Sequence, residues 1–149
     1  MSGTRRQARE AAVQILFELD LGGADLEAVL LQFRGARSPG REAKAFAEAL
    51  VREAWSRRQE IDARIQECAD NWRLERMAAV DRNVLRLAVS ELLTADPSPA
   101  AVILDEAIEI AKRFGNADSG IFVNGVLDAV RKRLPGSPAR AGGGEDGAA

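Results

Sequence analysis

The chain has 149 residues, no histidine, a single cysteine and a formal net charge of −2. Without histidine it lacks the commonest general base, and it cannot build a Ser–His or Cys–His nucleophile pair or the usual nitrogen–sulfur zinc site. A net charge of −2 argues against indiscriminate nucleic-acid binding, which needs a basic domain, so any nucleic-acid role must come from a local patch. We therefore expect a protein that is not an enzyme and needs no cofactor or metal.

The composition favours a helical, cytoplasmic protein. Hydrophobic residues make up 46% of the chain but aromatic residues only 5%, which suits a helical core of Ala, Leu, Val and Ile. No apolar run approaches the roughly 18 residues of a membrane span, and the N-terminus lacks the apolar core of a signal peptide. A lone cysteine, Cys68, cannot form an intramolecular disulfide and fits a reducing compartment. We expect no membrane association.

The first predicted helix runs from Arg5 to about Leu21 and ends at Gly22–Gly23. Its start is basic, because Arg6 and Arg9 follow Arg5 and residues 1–9 contain no acid. This end of the helix is the strongest local candidate for phosphate binding.

Phe17 lies on a second stripe of this helix with Arg6 and Val13, away from the main apolar face. Two interpretations remain open. In one, a neighbouring helix covers the ring; in the other, the ring stands beside guanidinium groups and stacks on an unpaired base.

The middle of the chain predicts four more helices. Asp25 can cap a short helix that ends near Phe33. Residues 41–70 contain no proline or glycine and read as two helices with a break at 56–59. An amphipathic helix follows over about 75–94.

Charged residues mark the helix predicted over 75–94. Asp81 and Glu91 fall inside or beside its apolar arc, where a carboxylate must be paired or lie at a contact surface. We expect Glu91 to be a buried hydrogen-bond acceptor that fixes a neighbouring helix end, and Asp81 to face a partner protein. Arg86 lies opposite the stripe and is expected to be solvated.

Two helices meet near Gly115, which closes the sixth and precedes the seventh. The seventh helix carries Asp118 and Phe122 one turn apart on the flank of its apolar stripe, and Asp118 is also a candidate helix cap. Gly125 lies in the interior of this helix, where glycine costs about 1 kcal/mol relative to alanine. We expect close helix packing to explain it.

The prediction is thus an all-α protein of about seven helices in a compact bundle. Residues 1–134 form the predicted domain. Residues 135–149, rich in glycine and alanine, cannot form a core and are predicted to be a disordered tail.

Four stretches together resemble the NusB family of transcription antitermination factors. They are RRQARE with AVQ in residues 5–14, VDRNVLRLA with EL in 80–92, DEAIEIAK in 105–112, and FG, DS and FVNGVLD in 114–128. Their order and spacing extend through nearly the whole chain to about residue 134.

The resemblance implies seven helices in two packed subdomains and a function without catalysis. Such proteins bind the boxA element of nascent ribosomal RNA as a single strand, together with NusE, a ribosomal small-subunit protein. They act on the elongation complex with other Nus factors and help RNA polymerase read through terminators. Homodimer formation through the RNA-binding face is left open.

Carried onto this chain, the resemblance also implies site residues. The NusE surface would include Asp81, and we expect the Arg5–Arg9 end of the first helix to fold back beside Asp118 and Phe122. Two alternatives remain: a stand-alone RNA-binding domain related to that of ribosomal-RNA methyltransferases, and a structural helical adaptor. The RNA-binding candidates are Arg5, Arg6, Arg9, Phe17, Glu75, Asp118 and Phe122.

Overall fold

The computed structural model describes residues 2–69, 71–94 and 98–134. Within these ranges the chain forms seven α-helices and no strand, which confirms the all-α prediction. The predicted tail, residues 135–149, lies outside the described residues. The helices are α1 (Ser2–Gly22), α2 (Leu26–Gly35), α3 (Arg41–Ser56), α4 (Arg58–Cys68), α5 (Ala79–Leu93), α6 (Ala100–Phe114) and α7 (Ser119–Arg133).

Most helix boundaries follow the signals predicted from sequence. Gly23 adopts a left-handed conformation (φ 65°) just after α1, which any other residue would adopt only with strain. The Asp25 side chain accepts a hydrogen bond from the Ala28 N–H and caps α2. The fifth helix begins later than predicted, at Ala79, because Leu74–Arg76 forms a separate 3₁₀ turn.

The central element is α5, which contacts α1, α3, α4, α6 and α7. Ten consecutive residues of this helix, from Asp81 to Ser90, are buried. Helices α1–α3 form one group and α4–α7 the other, and α1 and α3 join the second group through α5. Both groups contribute to one apolar core, in which Leu16, Leu85 and Leu127 are fully buried.

Because α5 is surrounded, its polar face is buried too, and the prediction that Arg86 is solvated is wrong. The Arg86 guanidinium donates to both carboxylate oxygens of Asp62 at 2.8 and 2.9 Å and to Asn83 at 3.1 Å. Asp20, near the end of α1, accepts from Arg82 at 2.8 Å and from Asn83 at 3.0 Å. Burial would raise the pKa of Asp20, but these hydrogen bonds outweigh it and lower that pKa.

The explanation predicted for Gly125 is also wrong. This glycine is exposed, and a Cβ built on it would meet no atom within 4 Å. The close approach between α6 and α7 occurs five residues earlier, at Gly120, where a Cβ would lie 3.0 Å from Cγ of Lys112. A Cβ would therefore be crowded at position 120 and unopposed at position 125.

Candidate nucleic-acid interface

Two arginines at the start of α1 remain accessible to a ligand. The Arg5 guanidinium lies over the Phe46 ring, 4.3 Å from its centroid, and the residue is exposed. The Arg6 side chain is 41% exposed and donates two hydrogen bonds to Glu106, at 2.9 and 2.7 Å. The hydrogen bond from Arg6 lowers the pKa of Glu106, so this carboxylate stays ionised and competes with phosphate for Arg6.

Arg9 differs from its two neighbours because it is 3% exposed. Its Nε and Nη2 atoms donate to the two oxygens of Glu91, both at 2.9 Å, and Nη2 also lies 3.5 Å from the Ser98 hydroxyl. Glu91 is therefore the buried acceptor that the sequence predicted. A phosphate contact by Arg9 requires this ion pair to open.

A second candidate site lies at the other end of α5, where Asp81, Asp118 and Phe122 line one groove of about 290 Å³. The Phe122 ring meets the Trp72 ring edge to face, with centroids 6.3 Å apart and planes at 77°. Arg76, exposed in the 3₁₀ turn, lines the same groove. The groove thus combines two aromatic rings, two carboxylates and a guanidinium.

The segment before α7 explains why Asp118 is available. Asn116 accepts from the Asp118 N–H at 2.9 Å through its side-chain oxygen, and its own N–H donates to the Ser119 hydroxyl at 3.0 Å. Asp118 occupies the N-cap position of α7, but its side chain makes no capping hydrogen bond. The carboxylate is exposed, so it is free to accept hydrogen bonds from a ligand.

Asp81 forms the buried part of the groove. It lies in the first turn of α5 and is 6% exposed, and its Oδ1 atom has no hydrogen-bond partner among the described residues. Trp72, by contrast, is 54% exposed beside it. The residues that line the groove therefore include a buried carboxylate with an unpaired oxygen, Asp81, and an accessible aromatic ring, Trp72.

Two of the RNA candidates, Phe17 and Glu75, lie outside the residues that line this groove. Phe17 is 36% exposed on α1, so its ring is not fully covered. Glu75 is exposed and pairs with Arg73 at 3.1 Å. Both stay predictions as RNA contacts.

Comparison with known proteins decides the family. The sequence profile of the NusB family matches residues 6–132. The chain belongs to the NusB family. Transcription antitermination protein NusB of Anaeromyxobacter dehalogenans is 47% identical over 143 residues, which cover 95% of this chain and 99% of that protein.

Solved NusB structures share the fold. The chain resembles T. maritima NusB with a TM-score of 0.79 and 39% identity, covering 91% of this chain and 94% of that one. It also resembles a chain in the crystal structure of antitermination factors NusB and NusE in complex with dsRNA. There the TM-score is 0.76 and the identity 28%, covering 90% of this chain and 100% of that chain. The resemblance stated from sequence is confirmed.

The two candidate regions of this NusB-family chain do not share a groove, and their expected adjacency stays a prediction. Arg9 pairs with Glu91 near the end of α5, whereas Asp118 shares its groove with Asp81 at the start of that helix. Positions 81 and 91 are separated by about 15 Å of helical rise. Arg113 lies between the regions: it reaches α1 through Glu10 at 2.8 Å, and its side chain is 64% exposed.

Sequence reasoning missed Trp72, Arg76 and Arg113 as members of this NusB-family surface. An aromatic residue and an arginine four positions apart, directly before the central helix, were the available signal for the first two. Arg113 gave no such signal, because a basic residue in the last turn of a helix is expected from the helix dipole alone.

Proposed function

We propose that this chain is a transcription antitermination factor that binds boxA-type single-stranded RNA of nascent ribosomal RNA transcripts together with NusE. In this role it supports read-through by RNA polymerase in an elongation complex with other Nus factors. The name of the Anaeromyxobacter relative and the solved complex of NusB and NusE with RNA support the proposal. The groove that brings Trp72, Phe122 and Asp118 together is the observation that carries it.

Affinity in this mechanism comes from the start of α1. Arg5 and Arg6 neutralise phosphates, and each such contact contributes roughly −0.7 to the log–log salt slope on a single strand. Two contacts give a slope of about −1.4, and opening of the Arg9 pair would bring it to about −2. Such a slope is shallow for a nucleic-acid binder, so specificity must come from elsewhere.

Base recognition in this mechanism belongs to the groove. Asp118 accepts hydrogen bonds from base amino groups, and Phe122 contributes apolar surface beside Trp72. Arg113, exposed between the groove and α1, gives the strand a further positive charge along its path. A single strand that contacts both regions must therefore run across the end of α6.

The chain acts by holding RNA and a protein partner and not by making or breaking bonds. We place this activity in the cytoplasm, where nascent transcripts are made. The NusE surface is predicted to involve the central helix, with Asp81 as the candidate contact. Self-association is tested by measuring sedimentation with and without RNA.

The experiment compares a boxA-type single strand, the same sequence as a duplex and a scrambled strand, each with and without NusE. The duplex is included because the solved relative contains double-stranded RNA. We expect tightest binding to the boxA single strand in the presence of NusE. Equal RNA affinity with and without NusE would favour a stand-alone RNA-binding domain. No RNA binding in either condition would favour a structural helical adaptor.

A further inference from the structure

Asp81 is incompletely satisfied in the structure as it stands. It is more than nine-tenths buried, faces the groove that Asp118 also lines, and its Oδ1 atom lacks a hydrogen-bond donor within the described part of the chain. Burying a carboxylate without a donor is costly, and such groups in proteins are normally paired. A ligand in the groove could supply this donor once the Asp81 carboxylate rotates towards the opening.

The walls of the groove restrict what that ligand can be. Trp72 has more than half of its surface accessible and is held edge to face by Phe122, so it offers a flat apolar contact. Arg76, exposed on the same groove, supplies a positive charge. At about 290 Å³ the groove is at the small end of ligand sites and suits one planar group.

We propose that the groove holds a single unstacked guanine, which stacks on Trp72 and donates its N1–H and N2 amino hydrogens to Asp81. Among the RNA bases only guanine presents two adjacent donors on its Watson–Crick edge, and these match the two oxygens of one carboxylate. Adenine and cytosine present one amino group beside a ring acceptor, which a carboxylate repels. Arg76 then takes the adjoining phosphate.

This inference rests on the proposed function and makes it more specific. It moves Asp81 from the NusE surface to the RNA site, because Asp81 shares its groove with Asp118 and Phe122. Since Oδ1 is not solvent-accessible, the carboxylate must rotate towards the opening when the base enters.

The first measurement uses Trp72 itself as the reporter. The chain contains two tryptophans, and Trp55→Phe leaves Trp72 as the only indole. The probes are oligouridylates that carry one central guanine, inosine or adenine; inosine lacks the N2 amino group. We expect the guanine strand to quench Trp72 and to bind roughly 5- to 100-fold more tightly than the adenine strand, the range of a good bidentate base contact. Inosine should fall between them.

The second measurement repeats these titrations with Asp81→Asn. The substitution places an amide N–H donor against the donors of guanine. We expect the guanine preference to disappear while affinity for the adenine strand stays within about two-fold. Asp105→Asn is the matched control, because Asp105 is exposed on α6 and the charge change is the same. Trp72→Phe keeps an aromatic ring and should retain the preference with weaker binding, whereas Trp72→Ala should weaken all three strands.

Several outcomes would overturn the proposal. Asp81→Asn that keeps the guanine preference removes Asp81 from base recognition. Loss of NusE binding in that variant, with the guanine preference intact, makes the groove a protein-docking site. RNA binding without any change in Trp72 fluorescence defeats the inference but leaves the proposed function standing. Absence of RNA binding by the unmodified chain defeats the proposed function itself.

Discussion

Arg9 and Glu91 form a two-point ion pair, with both N···O distances at 2.9 Å and both side chains less than a tenth exposed. The pair joins the start of α1 to the end of α5, so it connects the two groups of helices. The sequence placed Arg9 with Arg5 and Arg6 in the RNA-binding set, but the Arg9 ion pair is buried, whereas the Arg6 side chain remains 41% exposed in its pair with Glu106.

We predict that Arg9→Met lowers the free energy of unfolding by about 3–5 kcal/mol, because Glu91 is left buried without a counter-charge. Urea unfolding followed by circular dichroism measures this. The double variant Arg9→Met with Glu91→Leu should recover most of the loss, since replacing a buried pair with apolar residues is often neutral. A loss below about 1 kcal/mol in the single variant would contradict a stabilising role.

Glu106 competes with RNA for Arg6. We expect Glu106→Gln to raise affinity for single-stranded RNA several-fold at low salt, because Arg6 loses its charged partner and the chain loses one negative charge near the phosphates. The gain should shrink as salt increases. Glu109→Gln, also on α6 and exposed, controls for the change in net charge. Equal gains in both variants would show that Arg6 is not specifically released.

Asp118 and Arg6 should affect RNA binding in different ways. Asp118→Asn should change the ratio of affinities for boxA and scrambled RNA, because it alters an acceptor for base amino groups. Arg6→Ala should weaken both RNAs about equally and reduce the salt slope by about 0.7. Equilibrium titrations at several salt concentrations separate the effects. Equal loss on both RNAs for Asp118→Asn would remove its role in base recognition.

Gly125→Ala should stabilise the protein by about 1 kcal/mol, because the position is helical and a Cβ there meets nothing within 4 Å. RNA binding should be unchanged. The contrasting variant is Gly115→Ala, whose Cβ would lie 2.7 Å from the Ala111 carbonyl oxygen. That variant should destabilise by about 1–3 kcal/mol. Thermal unfolding of both variants checks this, and stabilisation by both would refute the packing argument.

Acid should destabilise the fold in a defined window. A hydrogen bond from Arg34 lowers the pKa of Glu48 from 4.5 to about 2. A carboxylate with a lowered folded-state pKa stabilises the protein above its unfolded pKa, and that contribution is lost as the pH falls through the folded value. The melting temperature should therefore fall between about pH 4.5 and about pH 2. Glu48→Gln should flatten this decline, and an unchanged slope would contradict the assignment.

Local sequence signals predicted the helices well. Asp25 caps the start of α2, as its short carboxylate side chain predicted, and α1 ends at the glycines that follow Leu21. Apolar spacing also identified the stripe of α7, because it depends only on the period of the helix. The motifs were sufficient to indicate the family.

The misplaced residues all depend on contacts between distant parts of the chain. Arg86 was expected to be solvated because it lies opposite the apolar stripe of α5. The stripe carries no information about Asp62 of α4, which binds the Arg86 guanidinium on that opposite face. Gly125 was expected to be packed because the sequence alone does not show where the neighbouring helices lie. In the structure a Cβ at this position would meet no atom within 4 Å. The shared groove of Asp81 and Asp118 likewise arises from two segments that are far apart in sequence.

The attachment of α1 along its length bears on the thermodynamics of RNA recognition. Ion pairs and hydrogen bonds hold it at Arg6, Arg9, Glu10 and Asp20. Arginine segments that fold on contact with RNA lose conformational entropy at that moment and show a large heat-capacity change. Here the helix that carries Arg5 and Arg6 is already ordered before the ligand arrives. The entropic cost has been met during folding, and more of the contact energy remains available for affinity.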